Sequence, residues 1–405
     1  MATAKGDQTT VRALNRRLLL RLLRERGPMS RTDLAELSGL SNGAITRIVA
    51  DLIDEGYLWE QAVGDSTGGR RPVLLDLDTS ARVVAGLKLM DDAILAVLVD
   101  TKGVVVTHGR AALRSHRTDV VLSQAAALID KLLARASRAD EDLTGIGLCM
   151  PGVVDWQTGF CKVSPYFGWR DVPVAKLLYE LTNVPVAVDN DVNALAVAES
   201  LFGRGRRIRD FVVITMGRGV GAGLVHDGSV YRGHNGGAGE FGHIASEVGG
   251  RRCECGKRGC LEAYVSEPAL LAQLREMGGR YAELDIEGFL TLARSGDKNA
   301  KKLYDDTTMR LGSGIATLVN VLNPELIVVG GEATFLTHDF VEDLWPRIVE
   351  HTFGGLADGL EIQLDGWRSD PKAWARGAAS LAMEHLFDPL MQGRGVAALD
   401  VMAAR

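Results

Sequence analysis

The sequence predicts a mixed α/β chain, with a small winged helix-turn-helix at its N-terminus and a larger two-lobed α/β body behind it. Three observations predict this. A helix, a glycine turn and a second short helix precede a third helix and two strands around a basic tip. A plan of consecutive strand hairpins occurs twice, and a histidine and three cysteines cluster inside the second copy.

A chain of 405 residues is expected to form two or three domains, since one core rarely grows past about 250 to 300 residues. With 46% hydrophobic and 24% charged residues the composition is that of a globular protein. The net charge of −6 argues against nucleic-acid binding by the whole surface, but a small basic module is hidden in such an average. Met1 to Thr10 carries no apolar run of signal-peptide length, and no apolar stretch approaches the ~20 residues of a membrane span. Five cysteines, clustered as ligands, fit a reducing cytoplasm better than a disulfide framework.

In chain order, Leu14, Leu18, Leu19, Leu22 and Leu23 recur at helical spacing, and Gly27-Pro28 ends that helix. Ser30-x-x-Asp33 is a helix cap before Leu34, Ala35 and Leu37, with Gly39 closing a short second helix. Ser41 opens a third, on which Ile45, Ile48, Val49, Leu52 and Ile53 form one apolar stripe. That leaves Asn42, Gly43, Thr46, Arg47 and Ala50 on the opposite face, the small and polar face expected of a recognition helix in the major groove. Tyr57-Leu58-Trp59 and Val73 to Leu77 read as two strands joined by a polar loop ending in Gly68-Gly69-Arg70-Arg71-Pro72. Any three-helix bundle produces the stripe and most basic doublets are solvated loops; the combination in this order is what points to DNA. Ser41, Asn42, Gly43, Thr46, Arg47, Gly69, Arg70 and Arg71 are the candidate DNA-binding residues, the arginines suiting phosphates or a narrow minor groove.

From Ala81 the pattern changes. Val83 to Leu89, Ala93 to Val99 and Val104 to Thr107 read as strands in two successive hairpins. The plan recurs at Phe211 to Met216, Val220 to Val225 and Ser229 to Tyr231, so the chain contains a duplicated unit. Helices are expected at Val120 to Arg135 and Ala300 to Leu322, with strands at Gly145 to Met150 and Leu326 to Val329. The domain expectation is a winged helix over residues 1–80 and a two-lobed body over 81–405, with ligands between the lobes. Apolar stretches such as Ala373 to Leu386 suit either a dimer interface or a core.

Within the second copy, His243 is followed by Cys253, Cys255 and Cys260. One imidazole and three thiols make a closed set for structural zinc, expected over residues 239–264. Cys149 and Cys161 have no such partners and read as core residues. Glu240, His243 and Glu262 flank the metal ligands, which makes a polar, hydroxyl-rich ligand the expectation there. Asn190-Asp191 follows an apolar strand; taken alone such a pair is a turn.

Val188-Asp189-Asn190-Asp191-Val192-Asn193, Gly217-x-Gly219-x-Gly221, Gly239-Glu240-Phe241-Gly242-His243 and the run from Cys253 to Glu262 together resemble the ROK family. That family joins sugar-responsive repressors and sugar kinases on an actin-like, ribonuclease-H-like ATPase fold, and its repressor branch carries an N-terminal winged helix. The resemblance runs from about Leu14 to nearly the end of the chain. It implies that Asn190, Asp191, Glu240, His243 and Glu262 hold sugar hydroxyls, with His243 also on zinc through its other ring nitrogen. Carboxylates accepting from hydroxyl pairs beside an amide that donates and accepts give stereospecific readout.

Three departures matter. A ROK kinase has an Asp-x-Gly-x-Thr turn after its first strand, and here the matching stretch is Lys88-Leu89-Met90-Asp91-Asp92, which places bulk and misplaced charge where phosphates lie. Arg218 stands where kinases commonly have threonine. The segment Ser164-Pro165-Tyr166-Phe167-Gly168-Trp169 lacks the polar residue that relatives often place near Tyr166 and Phe167, which leaves the sugar open. The expected function is therefore a cytoplasmic sugar-responsive repressor, a degenerate kinase with no catalytic residues. It binds palindromic operator DNA as a homodimer or dimer of dimers. An active sugar kinase with an appended DNA-binding domain is the alternative, and a regulator that binds DNA only with ligand is a third.

Overall fold

A computed structural model describes residues 8–62, 73–333, 338–365, 370 and 372–386. The chain divides into two compact units, Met1–Arg206 with Trp374–Arg405, and Arg207–Ala373.

The first unit begins with α1 (Gln8–Arg26), β1 (Met29–Ser30), α2 (Arg31–Ser38), α3 (Asn42–Asp54), β2 (Leu58–Ala62) and β3 (Val73–Leu77). Ser30 caps α2 in a reciprocal box: its hydroxyl accepts from the Asp33 amide at 3.2 Å, and the Asp33 carboxylate accepts from the Ser30 amide at 3.0 Å. Ser41 caps α3 from one side only, its hydroxyl accepting from Ala44 N at 3.3 Å. The apolar stripe of α3 (Ile45, Ile48, Val49, Leu52) is buried with Leu19, Leu23, Leu34 and Leu75. A strand missing from the sequence expectation, β1, pairs with β3, so the order is β1-β3-β2. The loop from 63 to 72 lies outside the described residues, and Gly69, Arg70 and Arg71 with it.

The body of this unit comprises β4 (Val83–Leu89), β5 (Ala93–Asp100), β6 (Val105–Ala112), α4 (Thr118–Arg135), β7 (Leu143–Met150), β8 (Val153–Asp155), β9 (Phe160–Ser164), β10 (Trp169–Val172), α5 (Val174–Thr182), β11 (Val186–Asn190) and α6 (Asp191–Phe202). Its main sheet has the order β11-β7-β4-β5-β6, with β4, β7 and β11 parallel and β4, β5 and β6 antiparallel. Beside a small sheet, β10-β9-β8, buried Phe167 packs against buried Trp169 and half-buried His116, at centroid distances of 4.9 and 5.1 Å. Phe167 is thus a core residue of its unit. Cys149 and Cys161 are also buried, as expected.

The second unit holds β12 (Phe211–Met216), β13 (Val220–His226), β14 (Ser229–Val230), α7 (Glu262–Val265), α8 (Glu267–Met277), α9 (Ile286–Arg294), α10 (Lys298–Leu322), β15 (Leu326–Gly330), α11 (His338–His351) and β16 (Glu361–Leu364). Its sheet order, β14-β13-β12-β15-β16, repeats that of the first unit strand for strand: an antiparallel meander followed by two parallel strands on the other side of its first member. The duplication read from the hairpins is present in the topology. The last helix, α12 (Ala373–Glu384), returns from Trp374 onward to the first unit. There Ala375, Ala379 and Met383 are buried against Val84 and Val97. Of the two roles open for this stretch, the structure gives it the core. Among the described residues no helix is long and apolar enough to cross a membrane.

Candidate functional site

The cysteine loop is built by tight backbone geometry. Gly259 has φ of +82°, and a Cβ there would lie 1.6 Å from the Glu247 carbonyl oxygen, so only glycine fits. Isolated bridges between Ala245 and Cys260 and between Arg252 and Arg258 frame the loop, and Cys253 N donates to Lys257 O at 2.9 Å. Arg310 of α10 braces it from outside: the guanidinium sits 3.9 Å from the Tyr264 ring centroid and donates to Glu247 at 2.9 Å.

This frame brings His243, Cys253, Cys255 and Cys260 together, with one ligand atom of each within 4.8 Å of all the others. The cluster could hold a metal ion. His243 Nδ1 lies 3.7 Å from Cys253 Sγ, and Cys255 Sγ lies 3.7 Å from Cys260 Sγ. Burial pushes the Cys253 thiol up to about 12 and also raises Cys260. At Cys255 burial acts in the same sense, but the Lys257 amide and the two neighbouring thiols outweigh it and lower the value. One thiol of the set is thus poised to be the first thiolate.

The flanking acids divide by role. Glu262, at the start of α7, accepts from Val220 N at 2.9 Å through Oε2, and its Oε1 stands 4.0 Å from His243 Nδ1. Glu240 is exposed, with Oε2 3.8 Å from His243 Nε2. The imidazole therefore turns Nδ1 to the cysteines and Nε2 toward Glu240. These residues belong to the second unit.

Asn190 and Asp191 belong to the first. Asn190 ends β11 and caps α6: its Oδ1 accepts from Val192 N at 2.8 Å and its Nδ2 donates to Gly152 O at 3.0 Å. Its amide is engaged in shaping the turn. Asp191 opens α6, and its Oδ2 accepts from Lys88 Nζ. Both side chains are largely buried, 8% exposed for Lys88 and 15% for Asp191. The sequence marks Lys88 as a misfit in a phosphate loop but does not show its partner. The strand order supplies it, because Lys88 pairs with Cys149 on β7, and Cys149 pairs with Asp189 on β11, two residues before Asp191.

On α3, Ser41, Asn42, Gly43, Thr46, Arg47 and Ala50 are all exposed while the opposite face is buried. Thr46 Oγ1 donates to Asn42 O at 2.9 Å, which leaves the Arg47 guanidinium and the Asn42 amide as the long polar groups of that face. Arginines of α1 are partly neutralised by α3, through Arg12 to Asp51 at 2.5 Å and Arg16 to Glu55.

Comparison with known proteins agrees with both parts. The pattern of winged helix-turn-helix DNA-binding domains matches residues 12–58, and that of the ROK family matches residues 84–385. The chain belongs to the ROK family. Within it, the chain is 30% identical over 371 residues to the xylose repressor of Caldicellulosiruptor bescii, covering 89% of this chain and 93% of the relative. It is 31% identical over 337 residues to the N-acetylglucosamine repressor of Escherichia coli O157:H7, covering 81% and 83%. A crystal structure of a ROK family transcriptional regulator, homologous to the E. coli MLC protein, superposes with a TM-score of 0.81 at 28% identity, covering 96% and 99%. The chain is a ROK transcriptional regulator, with the winged helix and the sugar-kinase-like body expected of one.

Proposed function

We propose that this regulator is a cytoplasmic repressor whose affinity for operator DNA is set by a sugar, and that it does not phosphorylate that sugar. One observation carries the second half of the reading: the ion pair between Lys88 and Asp191. Asp191 matches the residue that takes the hydroxyl proton in ROK kinases. A kinase places an acid and small glycines on the preceding loop; here an ammonium stands in the acid's place and donates to that carboxylate. An acceptor site already filled by a lysine is poorly arranged for proton abstraction.

The sugar is read by Asp191 and Asn190 together with Glu240, His243 and Glu262, each carboxylate accepting from hydroxyls. The metal of the cysteine cluster is zinc in a structural role. Sulfurs around a tetrahedral zinc at about 2.3 Å stand about 3.8 Å apart, close to the 3.7 Å between Cys255 and Cys260. His243 would hold zinc together with the three thiols, with Nδ1 facing Cys253 and Nε2 facing Glu240. At the other end of the chain, α3 enters the major groove with Ser41, Asn42, Gly43, Thr46 and Arg47, while Gly69, Arg70 and Arg71 track the backbone beside it. A homodimer, or a dimer of dimers, then reads a palindrome.

A coupled ADP-release assay with D-xylose, D-glucose and N-acetyl-D-glucosamine tests the reading. The expected rate is that of ATP without protein. Sugar-dependent turnover that is lost in Asp191→Asn would establish the kinase alternative instead.

A further inference from the structure

The first unit contains an unbroken path of packed side chains from Asp191 to the winged helix. Lys88 Nζ, which donates to Asp191, also lies 4.6 Å from the centroid of the Trp374 ring. Trp374 stands at the start of α12. This helix meets the sheet backbone to backbone at two points: a Cβ on Gly86 of β4 would come within 1.9 Å of Ala375 O, and one on Gly147 of β7 within 1.7 Å of Ala378 O. Its other flank meets α6, where a Cβ on Gly377 would lie 3.3 Å from Ala194 O. Backbone contact at these two glycines leaves little slack for the helix to deform locally.

The far end of α12 reaches the DNA-binding module. Leu386 packs on the winged-helix core, and Met383 is buried on the sheet side. Between them and the module is a small cavity lined by Leu20, Tyr57, Leu77, Arg82, Met383 and Leu386. Two guanidinium groups also tie the module to the rest of the unit. Arg206 donates to Glu25 O at 2.5 Å, and Arg82 donates to Glu55 O at 2.9 Å and to Glu141 O at 2.6 Å.

We propose that Lys88, Trp374 and α12 form a relay that couples the state of Asp191 to the position of the winged helix. The relay rests on the reading of Asp191 as an effector ligand. A sugar hydroxyl that bonds Asp191 competes with Lys88 for the same carboxylate. The displaced ammonium changes its contact with Trp374, α12 shifts along its glycine seat, and its Met383 to Leu386 end repositions α1 and β3. The effector acts only by binding the displaced arrangement more tightly than the paired one.

Hydrogen exchange read by mass spectrometry on the full-length chain tests this. The double variant Lys88→Met with Asp191→Asn removes both charges of the pair together. It is expected to speed exchange in the second half of α1 and in β3 by on the order of 5-fold, while Lys88→Arg leaves both unchanged. Trp374→Leu keeps the ion pair, cuts the next link, and is expected to give the same remote loosening. Changes confined to residues near 88, 191 and 374 in both variants would overturn the relay. Thermal shifts of wild type with D-xylose, D-glucose and N-acetyl-D-glucosamine separate the two readings. Remote loosening without any sugar-dependent shift keeps the relay and removes these effectors. A sugar-dependent shift with only local exchange changes keeps the effector site and overturns the relay.

Discussion

Lys88 and Asp191, 103 positions apart, are joined by an ion pair in which both side chains are largely buried. The lysine is the last residue but one of β4, the first strand of the first repeat, and the aspartate opens the helix after its last strand. In the reading proposed above, the pair makes Asp191 a point of competition between a built-in cation and an incoming hydroxyl.

Breaking that pair from one side is expected to be costly. Lys88→Met leaves a largely buried carboxylate without its partner and should lower unfolding stability by about 3 kcal/mol. The double variant with Asp191→Asn should recover most of it. Urea denaturation checks both, and equal losses in the two variants would show that the pair is not the source.

Ser30 and Asp33 give a prediction with a pH sign. Hydrogen bonds from the Ser30 side chain and backbone hold the Asp33 carboxyl below its ordinary value. A carboxyl depressed in the folded state contributes stability above its unfolded pKa, and that contribution is lost as pH falls through the folded value, below about pH 4. Ser30→Ala should cost about 1 kcal/mol at pH 7, and the difference from wild type should shrink in acid. Thermal melts at pH 7 and pH 3 measure it.

These two cases show what was legible in the sequence. The capping box lies within four residues, and the repeated hairpins lie within thirty, so local pattern was enough for the winged helix and for the duplication. The partner of Lys88 is set by the parallel crossovers that place β4, β7 and β11 side by side, which no local pattern records. The seat of α12 is similar. An alanine-rich helix suits an interface or a core equally until Gly86 and Gly147 are known to lie beneath it. Asn190 was legible both as a turn and as a polar ligand, and its amide serves the turn in the structure.

Gly147→Ala tests that seat, since the added methyl would meet the backbone of Ala378 rather than a movable side chain. Overpacking of this kind should destabilise by at least about 3 kcal/mol. A fully stable alanine variant would mean that α12 packs elsewhere.

Metal removal should separate the five cysteines into two classes. Chelation is expected to release about one zinc per chain and to expose Cys253, Cys255 and Cys260 to a thiol reagent. Cys149 and Cys161 should stay unreactive in the folded protein, because burial pushes their thiols up to about 12 and about 11. Reaction of all five thiols at one rate would mean unfolding, and no released metal would remove zinc from the account.

The central claim, that a sugar sets the DNA affinity of this chain, is tested most directly by fluorescence anisotropy of the full-length protein on DNA from upstream of its own coding sequence. Titrations are made with and without D-xylose, D-glucose and N-acetyl-D-glucosamine. The account predicts tight binding that at least one sugar weakens by 5-fold or more, on the order of an ordinary allosteric coupling, and that Arg47→Ala weakens without any sugar. Binding that no sugar changes, or that survives Arg47→Ala intact, would contradict it.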